Sequence, residues 1–236
     1  MPATGKKHRS NPEWIRRHLT DPYVKEATRK GYRSRAAFKL AEIDARDKLL
    51  RPGAIVVDLG TAPGSWAQYA RERLAGPGGT VRGRIVALDV LPIEPIAGVE
   101  FIQGDFREEE VAARLGAALG ETRVDIVLSD MAPNLSGIGP ADAARNAHLA
   151  ELAIDFATRY LKPSGALLLK SFQGGGHSQV VEALKRRFSS VAVRKPAASR
   201  AESAETYLLA RGLKPGRKEP ESGAPTPLKQ RLIRPS

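Results

Sequence analysis

Apolar residues form short continuous runs in the middle of the chain, and the longer segments between these runs have apolar residues at every third or fourth position. The short runs are rich in valine, isoleucine and leucine and are typical of buried strands, whereas the periodic segments are typical of helices that cover a sheet. Strands are predicted at 54–59, 84–89, 99–102, 124–129, 165–170, 190–194 and 206–211. Helices are predicted at 34–50, 64–75, 108–119, 142–160 and 178–188.

This alternation of strands and helices predicts an α/β fold with a doubly wound, mostly parallel sheet, in a domain that spans residues 33–213. Ligands of such sheets bind beyond the carboxyl ends of the strands. Charged residues that end the predicted strands are therefore candidates for a binding site. They are Asp58, Asp89, Asp105, Asp130 and Lys170.

A glycine turn follows the first predicted strand, in the segment 58–66, and leads into the next helix. Glycines allow a tight turn and a close approach of the backbone to a ligand. The turn does not have the dinucleotide pattern G-x-G-x-x-G, because Ala62 and Pro63 interrupt it, and no Gly-Lys-Ser/Thr of a phosphate-binding loop follows. The turn therefore favours a ligand without a pyrophosphate.

Three acids at successive strand ends suggest what that ligand is. Asp58 would face a cationic or donor-rich ligand such as a sulfonium amino acid. Asp89 has the position at which an acid commonly binds ribose hydroxyls in this fold class, and Asp105 could accept from an adenine amino group. A single such acid would more often be a turn or cap residue. Three of them beside a glycine turn predict a nucleoside cofactor.

The net charge of +12 is concentrated at the two ends of the chain. Residues 1–51 have a net charge of +8 and residues 211–236 one of +5, whereas the segment between them is nearly neutral at −1. Basic ends favour a nucleic acid as the partner because phosphate contacts release counterions, although they could also serve solubility, and charge does not distinguish RNA from DNA. We interpret residues 1–32 as a basic RNA-binding arm and residues 214–236 as a basic disordered tail.

Composition excludes several protein classes. The chain has no cysteine, which rules out thiolate chemistry and favours a reducing compartment, the cytoplasm. The four histidines are not spaced as a metal-binding pair, so no metal site is expected. No apolar run reaches the roughly 18 residues that a membrane span needs. We expect a monomer, although the charge pattern fits a dimer equally well.

Two aromatic residues of the arm, Trp14 and Tyr23, lie among arginines and lysines. Aromatic rings interleaved with cations can stack on bases while the cations bind phosphates. The same rings could instead attach the arm to the domain, and the sequence does not decide between these two interpretations.

Four segments, 32–40, 58–66, 129–137 and 168–172, resemble the FtsJ/RrmJ family of ribose 2′-O-methyltransferases, also called the ribosomal RNA large subunit methyltransferase E group. Many methyltransferases share the glycine turn. The Asp-Met-Ala-Pro-Asn run at 130–134, followed later by a lysine at a strand end, is much more specific. The resemblance covers roughly residues 13–212.

The resemblance implies a Rossmann-like fold that binds S-adenosyl-L-methionine, with an antiparallel last strand in its sheet. It also implies the reaction, which is methylation of a uridine ribose 2′-hydroxyl in the 23S ribosomal RNA of the large subunit. The cofactor contacts that it implies are Gly64, Trp66, Asp89, Asp105 and Asp130.

The Lys-Asp-Lys-Glu tetrad of the family corresponds to Lys39, Asp130, Lys170 and Glu205. Glu205 is preferred to Glu202 because it directly precedes the Thr-Tyr start of the last strand. The resemblance implies that Lys170 accepts the proton and that Asp130 orients Lys170 and the methyl donor. Lys39 and Glu205 would position the ribose. The same residues could also be a structural ion-pair network.

Other functions fit parts of the pattern. A transfer-RNA or mRNA-cap 2′-O-methyltransferase uses a similar tetrad, although the chain has no added cap-binding domain. A ribosome-assembly protein that binds RNA would keep the basic ends, and an NAD-type oxidoreductase is disfavoured by the interrupted glycine pattern. Beside Asp130, the residues Asn134, Ser136 and Gly137 could contact the target nucleotide or form a turn. His177 is expected to be a loop residue.

Overall fold

The computed structural model describes residues 20–133, 139–200 and 203–215. Its strands are β1 (Ile55–Leu59), β2 (Arg84–Asp89), β3 (Glu100–Gln103), β4 (Val124–Ser129), β5 (Leu161–Phe172), β6 (Phe188–Arg194) and β7 (Glu205–Leu213). Its α-helices are α1 (Pro22–Lys30), α2 (Ala36–Asp47), α3 (Ser65–Leu74), α4 (Glu109–Leu119), α5 (Gly139–Tyr160) and α6 (His177–Arg187). Most of the predicted arm and tail lies outside the described residues.

The strands form one sheet in the order β3-β2-β1-β4-β5-β7-β6. The pairs among β1 to β5 are parallel, whereas β7 is antiparallel to both of its neighbours, β5 and β6. The predicted α/β fold with a mostly parallel sheet and an antiparallel last strand is therefore confirmed. Because β7 runs in the opposite direction, its first residues lie at the carboxyl ends of the parallel strands.

Helices cover both faces of the sheet. On one face, α4, α5 and α6 pack against strand residues such as Val57 and Leu167. On the other face, α2 and α3 pack against strand residues such as Val56 and Leu168. Successive side chains of a strand point to opposite faces, so this alternation separates the core into two apolar layers.

The same alternation places polar residues on the face that α2 and α3 cover. Asp58, Lys170 and Tyr207 each lie two positions away from a strand residue that is buried in this layer. Lys170 is directly opposite Tyr207 in the register of β5 and β7. The fold therefore brings Lys170 and Tyr207 to the side of the sheet on which α2 places Lys39.

The predicted helix 34–50 is shorter in the structure, where α2 ends at Asp47. One residue accounts for the difference. The carboxylate of Asp44 is buried and accepts hydrogen bonds of 2.8 Å from the backbone amides of both Leu49 and Leu50. These bonds satisfy the amides outside a helix, so the chain turns before Pro52 is reached.

Helix α1 lies within the predicted arm 1–32. The described part of this arm, from residue 20 onward, packs against the domain. Asp21 caps the helix by accepting a hydrogen bond of 2.9 Å from the backbone amide of Tyr23. The ring of Tyr23 lies 5.7 Å from that of Phe38 in α2. Tyr23 therefore attaches this part of the arm to the domain, while Trp14 lies outside the described residues.

Candidate active site

A cavity of about 550 Å³ opens at the carboxyl ends of the parallel strands. Its lining comes from the loops after β1, β2, β3 and β4, from α5 and from the end of β5. Of the residues predicted for the site, Asp89, Asp105, Asp130 and Lys170 line this cavity. Their common location agrees with the sequence argument from strand ends.

The glycine turn forms one wall of the cavity. Gly60 has a φ of +77° and lies against the loop that follows β4. A Cβ atom at this position would lie 2.8 Å from the backbone nitrogen and 2.9 Å from the Cα of Met131. Only glycine therefore fits here, because both the backbone conformation and the close approach of Met131 exclude a side chain.

Two acids predicted to hold a nucleoside are fixed at the cavity by local hydrogen bonds. Asp89 accepts from the backbone amides of Ala62, at 2.8 Å, and Leu91, at 2.9 Å. The carboxylate of Asp105 pairs with the guanidinium of Arg107 at 2.5 Å, and hydrogen bonds from this arginine hold the pKa of Asp105 below its ordinary value. Both acids are thus oriented acceptors at the cavity wall.

The other two predicted cofactor contacts do not line the cavity. The indole of Trp66 is buried, where its Nε1 donates to the backbone oxygen of Ala36 at 2.8 Å and its ring lies 5.5 Å from that of Tyr207. Gly64 is covered by Arg33, whose Nη1 would lie 2.7 Å from a Cβ added to the glycine. The indole of Trp66 therefore does not face the cavity.

Asp58 is completely buried beneath the glycine turn. Its Oδ2 accepts a hydrogen bond of 2.6 Å from the hydroxyl of Thr61, and its Oδ1 is buried without a hydrogen-bond partner among the described residues. Burial raises the pKa of Asp58 to about 7. The hydroxyl of Thr61 opposes this effect, whereas the charges of Asp130 and Asp89 add to it.

The raised pKa of Asp58 predicts a pH-dependent stability. Between its unfolded pKa of 3.8 and the folded value of about 7, the folded state binds more protons than the unfolded state. The free energy of unfolding should therefore fall as the pH rises through this window, by up to roughly 4 kcal/mol at about 1.4 kcal/mol per pKa unit. Asp58→Asn removes this contribution, so the variant should gain stability relative to wild type as the pH rises.

Urea denaturation of both proteins at about pH 5 and about pH 8 measures the difference. Each carboxylate elsewhere affects both proteins equally and cancels when wild type is subtracted. Stability differences that are equal at the two pH values would contradict the assignment.

The four residues of the predicted tetrad form two ion pairs that are joined through one tyrosine. Lys39 Nζ lies 2.7 Å from Glu205 Oε1, and Lys170 Nζ lies 2.8 Å from Asp130 Oδ1. The hydroxyl of Tyr207 donates its single proton to Asp130 Oδ1 at 2.9 Å, and the same oxygen lies 3.3 Å from Glu205 Oε1. All four tetrad side chains are less than one-fifth exposed. Residues from α2, β5, β7 and the loop after β4 thus meet in one cluster.

Nearby charges and burial shift the pKa of Glu205 in opposite directions. Burial by itself raises the pKa of this carboxyl group. The positive charges of Lys39 and Lys170 and the hydrogen bond from Ser199 outweigh burial, so the pKa lies below its ordinary value. Glu205 is therefore ionised at neutral pH and attracts the ammonium group of Lys39.

Sequence reasoning missed Tyr207, which connects the two pairs. Burial, followed by the nearby carboxylates of Asp130 and Glu205, raises the pKa of Tyr207 well above its ordinary value. The phenol therefore keeps its proton and serves as a donor. The only signal in the sequence is a tyrosine two positions after Glu205, because residues two apart on a strand share a face.

The remaining residues singled out in the sequence are either not described or differ from their prediction. Asn134, Ser136, Gly137 and Glu202 lie outside the described residues. His177 is not a loop residue, because it begins α6, and its Nδ1 lies 2.9 Å from the hydroxyl of Ser171.

Neither a metal-binding group nor a membrane-spanning helix is found in the described part of the chain. Within residues 20–133, 139–200 and 203–215, no group of three or more histidine, aspartate or glutamate side chains is placed to hold a metal ion. No helix in the same ranges is both long enough and apolar enough to cross a bilayer.

Comparison with known proteins shows the family to which the chain belongs. Residues 32–213 match the family described as FtsJ-like methyltransferase, and this match covers well over half of the chain. The chain belongs to the FtsJ-like methyltransferase family. The predicted family and the predicted enzyme class, a methyltransferase, are therefore confirmed.

Similar sequences support this membership. Ribosomal RNA large subunit methyltransferase E of Bordetella pertussis is 62% identical over 208 residues, which is 88% of this chain and 99% of that protein. The protein of the same name from Burkholderia multivorans is 58% identical over 215 residues and covers 88% of this chain and 98% of its own length.

Solved structures agree on the fold. A putative ribosomal RNA methyltransferase from Plasmodium falciparum has a TM-score of 0.68 and 30% identity, and the match covers 77% of this chain and 98% of that one. Aeropyrum pernix fibrillarin, which was crystallised with natively bound S-adenosyl-L-methionine, has a TM-score of 0.51 and 17% identity over 76% of this chain and 75% of its own. The second likeness concerns the fold alone.

Proposed function

We propose that this FtsJ-like methyltransferase transfers a methyl group from S-adenosyl-L-methionine to the 2′-hydroxyl of a uridine ribose in 23S ribosomal RNA. The observation that carries the proposal is the meeting of two lysine-acid pairs at a cavity that also contains Asp89 and Asp105. A methyl transfer to a hydroxyl needs this combination of a cofactor cavity with groups that align the oxygen and handle its proton.

The residues around the cavity fit S-adenosyl-L-methionine. The buried Oδ1 of Asp58 lacks a hydrogen-bond partner among the described residues, and the carboxylates of Asp89 and Asp130 are near enough to raise its pKa. A cationic ligand would relieve this concentration of negative charge. When bound, the cofactor supplies an electrophilic methyl group on a sulfonium, for which no metal is needed. Its holders would be Asp89, Asp105 and Asp130, which line the cavity, whereas the predicted contacts Gly64 and Trp66 lie outside this lining.

Lys170 is proposed to accept the proton of the ribose hydroxyl. Its Nζ donates to the side chain and to the backbone oxygen of Asp130, both at 2.8 Å, and this fixes the direction of the nitrogen. A protonated lysine has no lone pair, so Lys170 would first release a proton to solvent, and the neutral amine held in this direction would then take the proton of the hydroxyl. Lys39, held by Glu205, would position the ribose and stabilise the negative charge that develops on its oxygen.

Ribosomal RNA within the large subunit is the proposed substrate because two observations favour it. The basic ends of the chain suit a large polyanion. The names of the relatives from Bordetella pertussis and Burkholderia multivorans specify the RNA of the large ribosomal subunit. On this proposal, residues 1–32 bind RNA, and the protein acts in the cytoplasm as a monomer.

A methyl-transfer assay tests the function. Tritiated S-adenosyl-L-methionine is incubated with the protein and with large ribosomal subunits, free ribosomal RNA or transfer RNA, and the labelled nucleoside is then identified. The expected result is label on 2′-O-methyluridine from 23S RNA. Label on transfer RNA alone, on a base, or on no RNA would contradict the proposal.

A further inference from the structure

The carboxylate of Glu205 is held in an asymmetric way. Its Oε1 accepts from Lys39 at 2.7 Å and from the hydroxyl of Ser199 at 2.9 Å, and the hydroxyl of Tyr207 lies 3.3 Å away. Its Oε2 has no hydrogen-bond partner among the described residues. Two donors on one oxygen fix the rotation of the carboxylate and leave Oε2 as an available acceptor.

Ser199 is the one of these donors that belongs to neither the tetrad nor the sheet. It is only 6% exposed, and its backbone amide donates to the oxygen of Pro196 at 2.9 Å, which closes a tight turn before β7. A hydroxyl on a mobile loop would hold a carboxylate poorly, because ordering the loop has an entropic cost. The turn therefore has to be fixed by other contacts if Ser199 is to orient Glu205.

Helix α2 provides those contacts. The carboxylate of Glu42 accepts from the backbone amides of Ala197, at 2.6 Å, and Ala198, at 3.0 Å. The guanidinium of Arg35, just before the helix, donates to the backbone oxygen of Ala198. Glu42 follows Lys39 by three positions, so the two side chains lie on the same face of the helix. One helix thus holds both the turn and the ion-pair partner of Glu205.

We infer that Ser199, held in place by Glu42, is a positioning residue that orients Glu205 so that Oε2 faces the ribose. The inference deepens the proposed function and rests on it. Neither residue would contact the transferred methyl group. Their contribution would be to the alignment of the ribose, which affects the rate of transfer and not the binding of the methyl donor.

Ser199→Ala tests the inference. The single-turnover rate of methyl transfer should fall roughly tenfold, because the lost hydrogen bond is to a charged group, while the affinity for S-adenosyl-L-methionine in calorimetry stays unchanged. Ser189→Ala is the matched control. Ser189 lies on β6, and its exposed hydroxyl donates to the backbone oxygen of Gly212 at 3.0 Å, so this variant should transfer methyl at the wild-type rate.

The pH profile separates positioning from a loss of structure. Glu205 is faced by Lys39 from α2, by Lys170 from β5, by Ser199 from the turn and by Tyr207 on β7. Removing the Ser199 hydroxyl takes a donor from the ionised carboxylate, so the acidic limb that reports protonation of Glu205 should move to higher pH, measured from about pH 3.5 upward because this carboxyl group titrates below its ordinary value. A general loss of packing lowers the amount of active enzyme without moving this limb.

Glu42→Ala and the double variant test the connection between the two residues. If Glu42 acts through Ser199, the double variant should be no slower than the slower single variant. The inference is overturned by an unchanged rate and limb in Ser199→Ala, by additive losses in the double variant, or by losses that follow the melting temperature and cofactor affinity. A wild-type protein that transfers no methyl to RNA would instead overturn the proposed function, and the inference with it.

Discussion

Lys170→Ala should lower the rate of methyl transfer by about a thousandfold or more while S-adenosyl-L-methionine still binds. General acid–base groups contribute roughly 10²- to 10⁴-fold, and this variant also leaves Asp130 without its cationic partner. Single-turnover transfer to large subunits measures the rate, and calorimetry measures the cofactor affinity. Near-wild-type turnover would remove Lys170 from the proposed mechanism.

Two further variants sharpen this result. Lys170→Arg keeps the positive charge but cannot accept a proton at neutral pH, so it should be nearly as slow as Lys170→Ala. An active arginine variant would mean that charge alone is needed. Lys162→Ala is the matched control, since Lys162 lies on the same strand and pairs with Asp125 at 2.8 Å, away from the cavity. Its activity should equal that of wild type.

Gly60→Ala should both destabilise the protein and weaken cofactor binding. The added Cβ would lie 2.8 Å from the backbone nitrogen of Met131, and the φ of +77° is itself unfavourable for alanine. Backbone atoms cannot move aside as the end of a side chain can, so we expect a cost of roughly 3 to 5 kcal/mol in the free energy of unfolding. The turn would also be displaced from Asp130, which lowers cofactor affinity.

Gly53→Ala separates the cost of the backbone conformation from the cost of the close contact with Met131. Gly53 has a similar φ of +91°, but a Cβ there meets no described atom within 4 Å. Its substitution should cost only about 1 to 2 kcal/mol, the penalty of the backbone conformation alone, and should leave cofactor affinity unchanged. Equal losses of stability in the two variants, measured by urea denaturation, would contradict the close approach of Met131.

Part of the site was predictable because ligands of parallel sheets bind beyond the carboxyl ends of the strands. Asp89 and Asp130 were found because parallel strands bring their carboxyl ends to one edge, and this reasoning needs only the order of apolar runs. Lys170 followed in the same way from the fifth run. The resemblance supplied what periodicity could not, because Lys39 lies on a helix outside the alternating pattern.

Other residues could not be located from the apolar pattern alone, for physical reasons. Glu205 reaches the site because β7 is antiparallel, and the direction of a strand leaves no mark on its apolar pattern. Ser199 lies in a turn without periodicity, and Glu42, which accepts from the neighbouring amides of that turn, is more than 150 residues away along the chain. The side chain of Trp66 is core rather than cavity wall, and this depends on a helix rotation that composition does not determine.

The position of β7 has a consequence for synthesis of the chain on the ribosome. Because β7 lies between β5 and β6, the strand made just before it cannot join the sheet until the last strand has emerged. That same strand contributes Glu205 and Tyr207. A nascent chain that stops before Glu205 therefore lacks both the strand that joins β6 to the sheet and two of the five residues of the ion-pair cluster, so completion of the sheet and completion of the cluster depend on the same strand.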